Sequence, residues 1–224
     1  MDSKECSFVI LISGRGSNMR SIVTRMAKSS GPRRGKVCAV ISNNPDANGL
    51  KWANDQGIET CVVNHHDYPN RDLFDKRLAE TIEKYQPDYI LLAGFMRILT
   101  AEFVRKFQGK IINIHPSLLP SFPGLHTHQK AIDSGVLWHG CTVHLVTADL
   151  DAGPIIAQAA VPVLPEDDAN TLSERVLSVE HQLYSEVVEG LIQGLISISG
   201  VNKIQVAQGV KTTFYKESNN VVHV

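Results

Sequence analysis

The sequence has 224 residues, of which 43% are hydrophobic and 20% charged, with a formal net charge of −1 and a pI near 6.7. This length allows one good hydrophobic core, and the near-neutral charge provides no polybasic surface for a nucleic-acid backbone. No window approaches the run of about 20 apolar residues that a membrane span needs, and residues 1–7 are polar and unlike a secretory leader. We therefore expect one globular, cytoplasmic protein with small-molecule substrates, no nucleic-acid partner and no membrane partner.

Strands and helices alternate through the first half of the chain. Apolar, β-branched runs predict strands at residues 8–12, 37–41, 61–63 and 89–92. Helical patterns begin near Asn18 and Gly49, and a long amphipathic helix covers residues 71–85. Continuous apolar strands separated by helices are typical of a parallel sheet that is covered on both faces. The sequence therefore predicts an α/β, Rossmann-like fold.

The second half departs from this alternation. A short helix at 101–107 precedes the strand that carries Asn113, and two strands at 141–146 and 155–161 follow without a crossover helix between them. We therefore expect antiparallel strands to be added to the sheet after about residue 138. A long helix over 170–190 follows these strands, and residues 201–224 have weak strand character.

The stretch I-I-N-I-H-P-S-L-L-P at residues 111–120 places two polar side chains inside an apolar strand. Because strand side chains alternate, Asn113 and His115 point the same way. Pro116 ends the ladder, just past the carboxyl end of the strand, where open α/β sheets place their active sites. An amide donor beside an imidazole can stabilise an oxyanion and transfer a proton, so the pattern predicts a carbonyl-like substrate. The alternative is that both residues only satisfy backbone groups.

The sequence S-G-R-G-S-N at residues 13–18 follows the first strand and opens the first helix. Backbone amides at a helix amino terminus form an anion site, although a lone G-x-G is also compatible with an ordinary turn. Met19 replaces the third glycine of a dinucleotide loop, and the second strand ends in Ser42-Asn43-Asn44 where a ribose-binding acid is expected. We interpret the loop as a monophosphate site, with Arg15 as an additional charge.

Two further loops lie after strands. Residues 92–99, L-A-G-F-M-R-I-L, could form an apolar wall with exposed peptide groups that holds a flat heterocycle, although a core turn followed by a helix capped at Thr100 explains them equally well. Residues 149–154, D-L-D-A-G-P, form a turn. A carboxylate there could approach the imidazole and favour its charged form, although a loop aspartate is more often only a turn residue.

Cysteines and other histidines give weaker signals. The four cysteines, Cys6, Cys38, Cys61 and Cys141, form no C-x-x-C pair, and we expect them to be reduced, buried and inert. Cys141 as a nucleophile is an alternative, because His139 and His144 are near in sequence. His126 and His128 match no standard zinc spacing, and Thr127 is the expected cap of a helix from about Gln129, so we assign no metal site.

Taken together with P-G-L-H-T-H at 123–128, these motifs closely resemble the phosphoribosylglycinamide formyltransferases, the folate-dependent enzymes of purine biosynthesis. The resemblance runs from about residue 8 to 190. The H-P-S-L-L-P core alone is shared with other enzymes that use 10-formyltetrahydrofolate, so it indicates only that donor. The full set implies a transferase that passes the formyl group of 10-formyltetrahydrofolate, a co-substrate, to the amine of glycinamide ribonucleotide.

The resemblance also implies roles for individual residues. Asn113 and a protonated His115 would stabilise the oxyanion, and Asp151 would keep the imidazole charged and help to pass the proton. Gly16, Ser17 and Asn18 would hold the substrate phosphate, and Glu180 would contact its ribose or amine end. The residues implied in folate binding are Arg71, Met96, Arg97, Ile98, Leu99, Asn113, Thr147 and Asp151.

The resemblance divides the chain into a formyltransferase domain at 1–195 and a tail at 196–224. Within the domain, a phosphate-binding half would cover about 7–100 and a folate-binding, catalytic half about 101–195. Ala152 replaces a glycine that is common in relatives, which predicts a slightly stiffer folate loop. We expect a monomer or weak homodimer.

Three alternatives have different requirements. A formyltetrahydrofolate hydrolase usually has an additional amino-terminal regulatory domain, whereas this sequence begins at its first strand. A transfer-RNA formyltransferase needs a further domain and a basic surface. A non-catalytic phosphosugar-binding module needs neither Asn113 nor Asp151.

Overall fold

The computed structural model describes residues 5–199, 203–217 and 220–223. Within these ranges a nine-stranded sheet has the order β11-β10-β7-β6-β5-β4-β1-β2-β3, and β8 and β9 form a separate antiparallel pair. The strands are β1 (Cys6–Ile12), β2 (Gly35–Ser42), β3 (Thr60–Val62), β4 (Tyr89–Leu92), β5 (Ile111–His115), β6 (Trp138–Leu145), β7 (Ile155–Pro162), β8 (Ile196–Ser199), β9 (Lys203–Val206), β10 (Thr213–Glu217) and β11 (Asn220–His223).

Strands β1 to β5 are parallel, as the alternating pattern predicts. β1 and β4 lie in the middle of this part of the sheet, and their apolar side chains are almost all buried because helices cover both faces. The predicted α/β, Rossmann-like fold is confirmed. Its practical consequence is that the loops after β1, β4 and β5 all emerge at one edge of the sheet.

The predicted antiparallel addition is also confirmed. β6 pairs antiparallel with both β5 and β7, and it begins at Trp138. The register places His144 directly across from Asn113 and Thr142 across from His115. The tail then contributes β10, which pairs parallel with β7, and β11. Strand β5 therefore lies inside the sheet, with neighbours on both sides.

Helices cover the sheet on two faces. One face carries α1 (Ser17–Ala27), α2 (Asn48–Asp55), α5 (Thr127–Asp133) and α6 (Ala169–Gln193), and the other carries α3 (Arg71–Glu83) and α4 (Ala101–Lys106). A short 3₁₀ turn, His65–Asp67, precedes α3. Thr100 caps α4 as expected, because its side chain accepts the Phe103 N–H. Among the described residues, no helix is long and apolar enough to cross a membrane.

Two local expectations were wrong. α5 begins at Thr127 itself, after His126 in the left-handed region at φ 59°, and no side chain caps it. Thr127 is a buried helical residue, since the bend at His126 starts the helix two residues earlier than the pattern indicates. None of the four cysteines, all within the described residues, forms a disulfide, but only Cys6 and Cys141 are buried, because Cys38 and Cys61 lie on strands near the edge of the sheet.

Candidate active site

Three polar side chains meet beyond the carboxyl end of β5. Asn113 and His115 lie on the same face of this strand, and Asp151 follows in the loop between β6 and β7. His115 Nδ1 lies 3.5 Å from Asp151 Oδ2, and both side chains are buried. The Gly124 N–H donates to the same carboxylate oxygen at 2.9 Å. The sheet and two loops therefore bring together the amide, imidazole and carboxylate that the sequence singles out.

Both neighbours of the His115 ring accept hydrogen bonds. His115 Nε2 lies 3.1 Å from the Phe122 carbonyl oxygen, and Nδ1 faces the Asp151 carboxylate. A neutral imidazole carries hydrogen on only one nitrogen, whereas the imidazolium donates from both. These two acceptors therefore fix the orientation of the ring, with Nε2 toward Phe122 and Nδ1 toward Asp151.

His144 orients the side-chain amide of Asn113. Its Nδ1 atom donates to the Leu145 carbonyl at 2.9 Å, and burial lowers the pKa of His144, so the ring is neutral near pH 7. Nε2 is then an acceptor, and it receives the Asn113 Nδ2–H at 3.2 Å. An amide nitrogen has two hydrogens, so the second remains for a ligand.

The loop after His115 is held by the buried Thr142 and the partly buried Gln158. Thr142 Oγ1 donates to the Ser117 carbonyl at 2.7 Å and accepts the Leu119 N–H at 3.0 Å. Gln158 Nε2 donates to the Leu119 carbonyl at 2.9 Å. These bonds hold the Phe122 carbonyl that contacts His115 within an ordered loop.

The glycine loop opens α1 with free backbone amides. Gly16 has φ 67°, a left-handed conformation that favours glycine, and no side chain caps the helix. A Cβ atom on Gly16 would lie 3.0 Å from Met19 Cε and 3.3 Å from Gly49 Cα. The uncapped N–H groups are therefore available to an anion at this helix terminus.

Glu180 and Asn18 form a buried pair beside this loop. Asn18 Nδ2 donates to Glu180 Oε2 at 2.8 Å, and Asn18 Oδ1 is buried with no hydrogen-bond partner. Burial raises the pKa of Glu180, and the bond from Asn18 lowers it in part. A buried carboxyl group with a raised pKa suits contact with an amine or hydroxyl, which the sequence alone could not indicate.

The predicted folate segments lie at the same edge of the sheet. Met96 and Ile98 are 75% and 59% exposed, an unusual position for large apolar side chains. Arg97 Cζ lies 5.7 Å from the centre of the Phe74 ring, and Leu99 packs on the apolar cluster beneath. Arg71 is exposed at the start of α3, and Thr147 is half-buried, with its hydroxyl donating to the Asp149 carbonyl at 3.2 Å.

Ser13 links the glycine loop to this apolar segment. Its hydroxyl donates to Asn43 Oδ1 at 2.6 Å and accepts the Met96 N–H at 2.8 Å. Asn43 directly follows β2, where a dinucleotide-binding protein would place an acid. The two loops therefore form one connected surface.

Asp75 holds the far end of the same segment. This buried carboxylate accepts the Thr100 N–H at 2.5 Å, while its other oxygen is buried with no hydrogen-bond partner. Burial raises the pKa of Asp75, and the Thr100 N–H and the charges of Arg71 and Arg97 lower it in part. Sequence analysis missed Asp75, because an aspartate on an amphipathic helix reads as a solvated charge.

Comparison with known proteins decides the family. The formyl transferase family model matches residues 6–188 of the chain. The chain belongs to the formyl transferase family. It is 43% identical to the phosphoribosylglycinamide formyltransferase of Escherichia coli (strain K12) over 192 residues, which cover 86% of this chain and 90% of that protein. The crystal structure of phosphoribosylglycinamide formyltransferase from Anaplasma phagocytophilum matches with a TM-score of 0.85 at 40% identity, covering 96% of this chain and 100% of that one.

Longer proteins contain a similar segment. The chain is 43% identical over 201 residues to the trifunctional purine biosynthetic protein adenosine-3 of Bos taurus, covering 90% of this chain and 20% of that protein. The chain thus spans only about a fifth of the length of this trifunctional relative. The resemblance to phosphoribosylglycinamide formyltransferases that the motifs indicate is confirmed for the region these relatives share.

Three residues that the sequence analysis did not place in the site support it indirectly. His144, Thr142 and Asp75 do not touch the open edge of the sheet directly, but each holds a group that does. The sequence places His144 on a strand, on the same face as Thr142 and opposite to Cys141 and Val143. Only the antiparallel register of β5 and β6 shows that His144 lies beside Asn113.

Proposed function

We propose that this formyl transferase transfers the formyl group of 10-formyltetrahydrofolate to the amine of 5-phosphoribosylglycinamide, giving formylglycinamide ribonucleotide and tetrahydrofolate. The observation that carries the proposal is the arrangement of Asn113, His115 and Asp151, with the ring 3.5 Å from the carboxylate, at the same sheet edge as the uncapped α1 terminus. The names of the relatives with high coverage support the same reaction.

In this mechanism the substrate amine attacks the formyl carbon directly. No covalent enzyme intermediate is required, which agrees with Cys141 being fully buried and with burial raising its thiol pKa. Binding both substrates end to end supplies much of the rate. The attack builds a tetrahedral oxyanion, to which the second Asn113 amide hydrogen donates and which the positive charge of a His115 imidazolium stabilises.

Asp151 and His115 then take part in proton transfer. The attacking amine must lose a proton and the departing folate nitrogen must gain one. Asp151 stabilises the charged His115 ring through the 3.5 Å contact, and the carboxylate helps to pass the proton between the two nitrogens through water. The Phe122 carbonyl keeps the ring from rotating while this happens.

The substrates would occupy the two connected loops. Gly16, Ser17 and Asn18 would hold the phosphate, and Glu180 would contact the ribose or amine end. The pterin would lie against Met96 to Leu99, with Arg71, Thr147 and Asp151 completing the folate site. In this arrangement the phosphate loop lies within residues 7–100 and the catalytic residues within 101–195, while both halves contribute folate contacts.

The reaction is tested with an absorbance assay for folate deformylation, run with and without phosphoribosylglycinamide. Tetrahydrofolate should form only when the ribonucleotide is present. Deformylation at the same rate without it would show a hydrolase, because water would then be the nucleophile. The absence of deformylation in both mixtures, with phosphate compounds still bound, would indicate a phosphosugar-binding module.

Asp75 provides a test of the folate site. Asp75→Ala removes the acceptor of the Thr100 N–H and loosens the segment 96–100, so the KM for 10-formyltetrahydrofolate should rise about fivefold to tenfold, as expected for one lost hydrogen bond. The KM for phosphoribosylglycinamide should stay unchanged. Asp75→Asn keeps an acceptor oxygen and should restore most of the affinity. Equal effects of both variants on both KM values would contradict this role.

A further inference from the structure

A groove of about 530 Å³ runs between α1 and α6, outside the site described above except at Ser17. Ser21 and Ser185 form its floor. Their hydroxyl oxygens lie 3.0 Å apart, and both donate to the His181 carbonyl, at 2.9 and 2.7 Å. This part of the groove is therefore uncharged, and hydrogen bonds hold its two hydroxyl groups in place.

The side of the groove formed by α1 is cationic. Arg20, Arg25 and Lys28 line it, and no acidic residue does. Among residues 5–199 and 203–215, none of these three cations forms a salt bridge. Two acids of α6 pair with neutral side chains, since Glu186 accepts from Gln182 and Glu189 Oε1 accepts from Ser29, while Glu189 Oε2 is buried without a hydrogen-bond partner. We call this surface, with Arg20, Arg25 and Lys28, the cationic groove.

Arg20 is held in place but lacks a partner for one donor. Its guanidinium carbon lies 5.6 Å from the centre of the Trp52 ring, and its Nε–H is buried without an acceptor. His181 Nε2, across the groove, is also buried without a partner, and burial lowers the pKa of His181. The groove thus combines a preorganised guanidinium, two exposed cations and unmet hydrogen-bonding capacity, which fits a phosphate group.

The groove and the glycine loop share Ser17. From Ser17 to Lys28 the helix rises by about 16 Å, at roughly 1.5 Å per residue. A cleft lined by charges of one sign concentrates ligands of the opposite sign and raises their association rate. We propose that the cationic groove captures the phosphate group of the substrate from solution and passes it to the loop at Gly16–Asn18. This inference rests on the proposed function.

The kinetic test uses Arg25→Gln/Lys28→Gln, which leaves the loop, Arg20 and the catalytic residues intact. At low ionic strength, kcat/KM for phosphoribosylglycinamide should fall roughly fivefold, within the range expected for lost electrostatic steering. The kcat and the KM for the formyl donor should be unchanged, and the difference from the unmodified protein should vanish at high salt, where the charges are screened.

The matched control is Lys76→Gln/Lys84→Gln. It removes two exposed positive charges from α3 and its carboxyl end, on the opposite face of the sheet, so the change in net charge is the same. This variant should keep the kcat/KM and the salt dependence of the unmodified protein. Equal behaviour of the two double variants would overturn the proposal, because steering would then follow net charge alone.

A second readout does not depend on the reaction. In Trp138→Phe, Trp52 is the one remaining tryptophan, since the sequence has two, and its fluorescence reports on Arg20. Titration with inorganic phosphate at constant ionic strength should change this signal at a lower concentration than in the same protein carrying Arg25→Gln/Lys28→Gln. Identical titrations of the two proteins would overturn the proposal that the cationic groove captures phosphate. A shifted titration in a protein without formyl transfer would instead refute the proposed function and leave the groove as a phosphate site.

Discussion

Replacing Asn113 or His115 with alanine is expected to lower kcat by a factor of about 10² to 10³ each, the usual effect of losing one group that stabilises the oxyanion. Asn113→Ala removes the amide that His144 orients, and His115→Ala removes the ring held between Phe122 and Asp151. Single-turnover measurement of formyl transfer, with both substrates saturating, isolates this step from binding and product release.

The fold should survive both changes. Asn113 is only partly buried, and the loop after His115 remains attached through Thr142 to β6. Thermal unfolding and phosphate binding should therefore stay close to those of the unmodified protein. Near-normal turnover in both variants would refute the mechanism. Loss of the folded state would instead show that these residues stabilise the fold and would contradict a purely catalytic role.

The candidate catalytic residues at the end of β5 could be recognised from the sequence, because their spacing fixes the face of the strand on which they lie. Asn113 and His115 are two residues apart in an apolar strand, and alternation alone places them on one side. The glycine loop was equally visible, since it lies between a strand and a helix. Its partner Glu180 could be named only through the family resemblance, because 162 residues separate it from Asn18 and nothing local marks a buried acid.

The missing parts of the site depend on pairings between distant segments. His144 acts on Asn113 through the antiparallel register of β5 and β6, and Asp75 acts on Thr100 through the packing of α3 against the loop after β4. A periodic pattern shows which face of a helix or strand is buried, but not which other element packs against that face. Thr127 shows the same limit locally, because a left-handed backbone at His126 set the start of α5.

Gly153→Ala is expected to abolish most of the activity and to destabilise the protein. A Cβ atom at this position would lie 1.7 Å from the Leu145 carbonyl oxygen and 2.8 Å from its carbon. These are backbone atoms of β6, which is held between β5 and β7, so the loop and not the strand must move. The Pro154 carbonyl, which accepts the Leu145 N–H at 2.9 Å, would be displaced with it.

This displacement reaches the catalytic carboxylate, because Asp151 lies two residues before Gly153. Overpacking of this kind costs about 3 kcal/mol, which corresponds to a fall of roughly 6–12 °C in Tm for a chain of this size. The kcat should fall by about 10²-fold, since a carboxylate that has moved by an ångström no longer supports His115. Calorimetry and the deformylation assay measure the two effects separately.

Ala152→Gly is the matched control, one residue earlier in the same turn. Its side chain is exposed, so its removal relieves or creates no contact with β6 and only makes the loop slightly more flexible. Tm and kcat should both stay near their original values. If Gly153→Ala were as mild as this control, the close approach of the loop to Leu145 would not fix Asp151, and the carboxylate would have to be positioned by its bond from the Gly124 N–H instead.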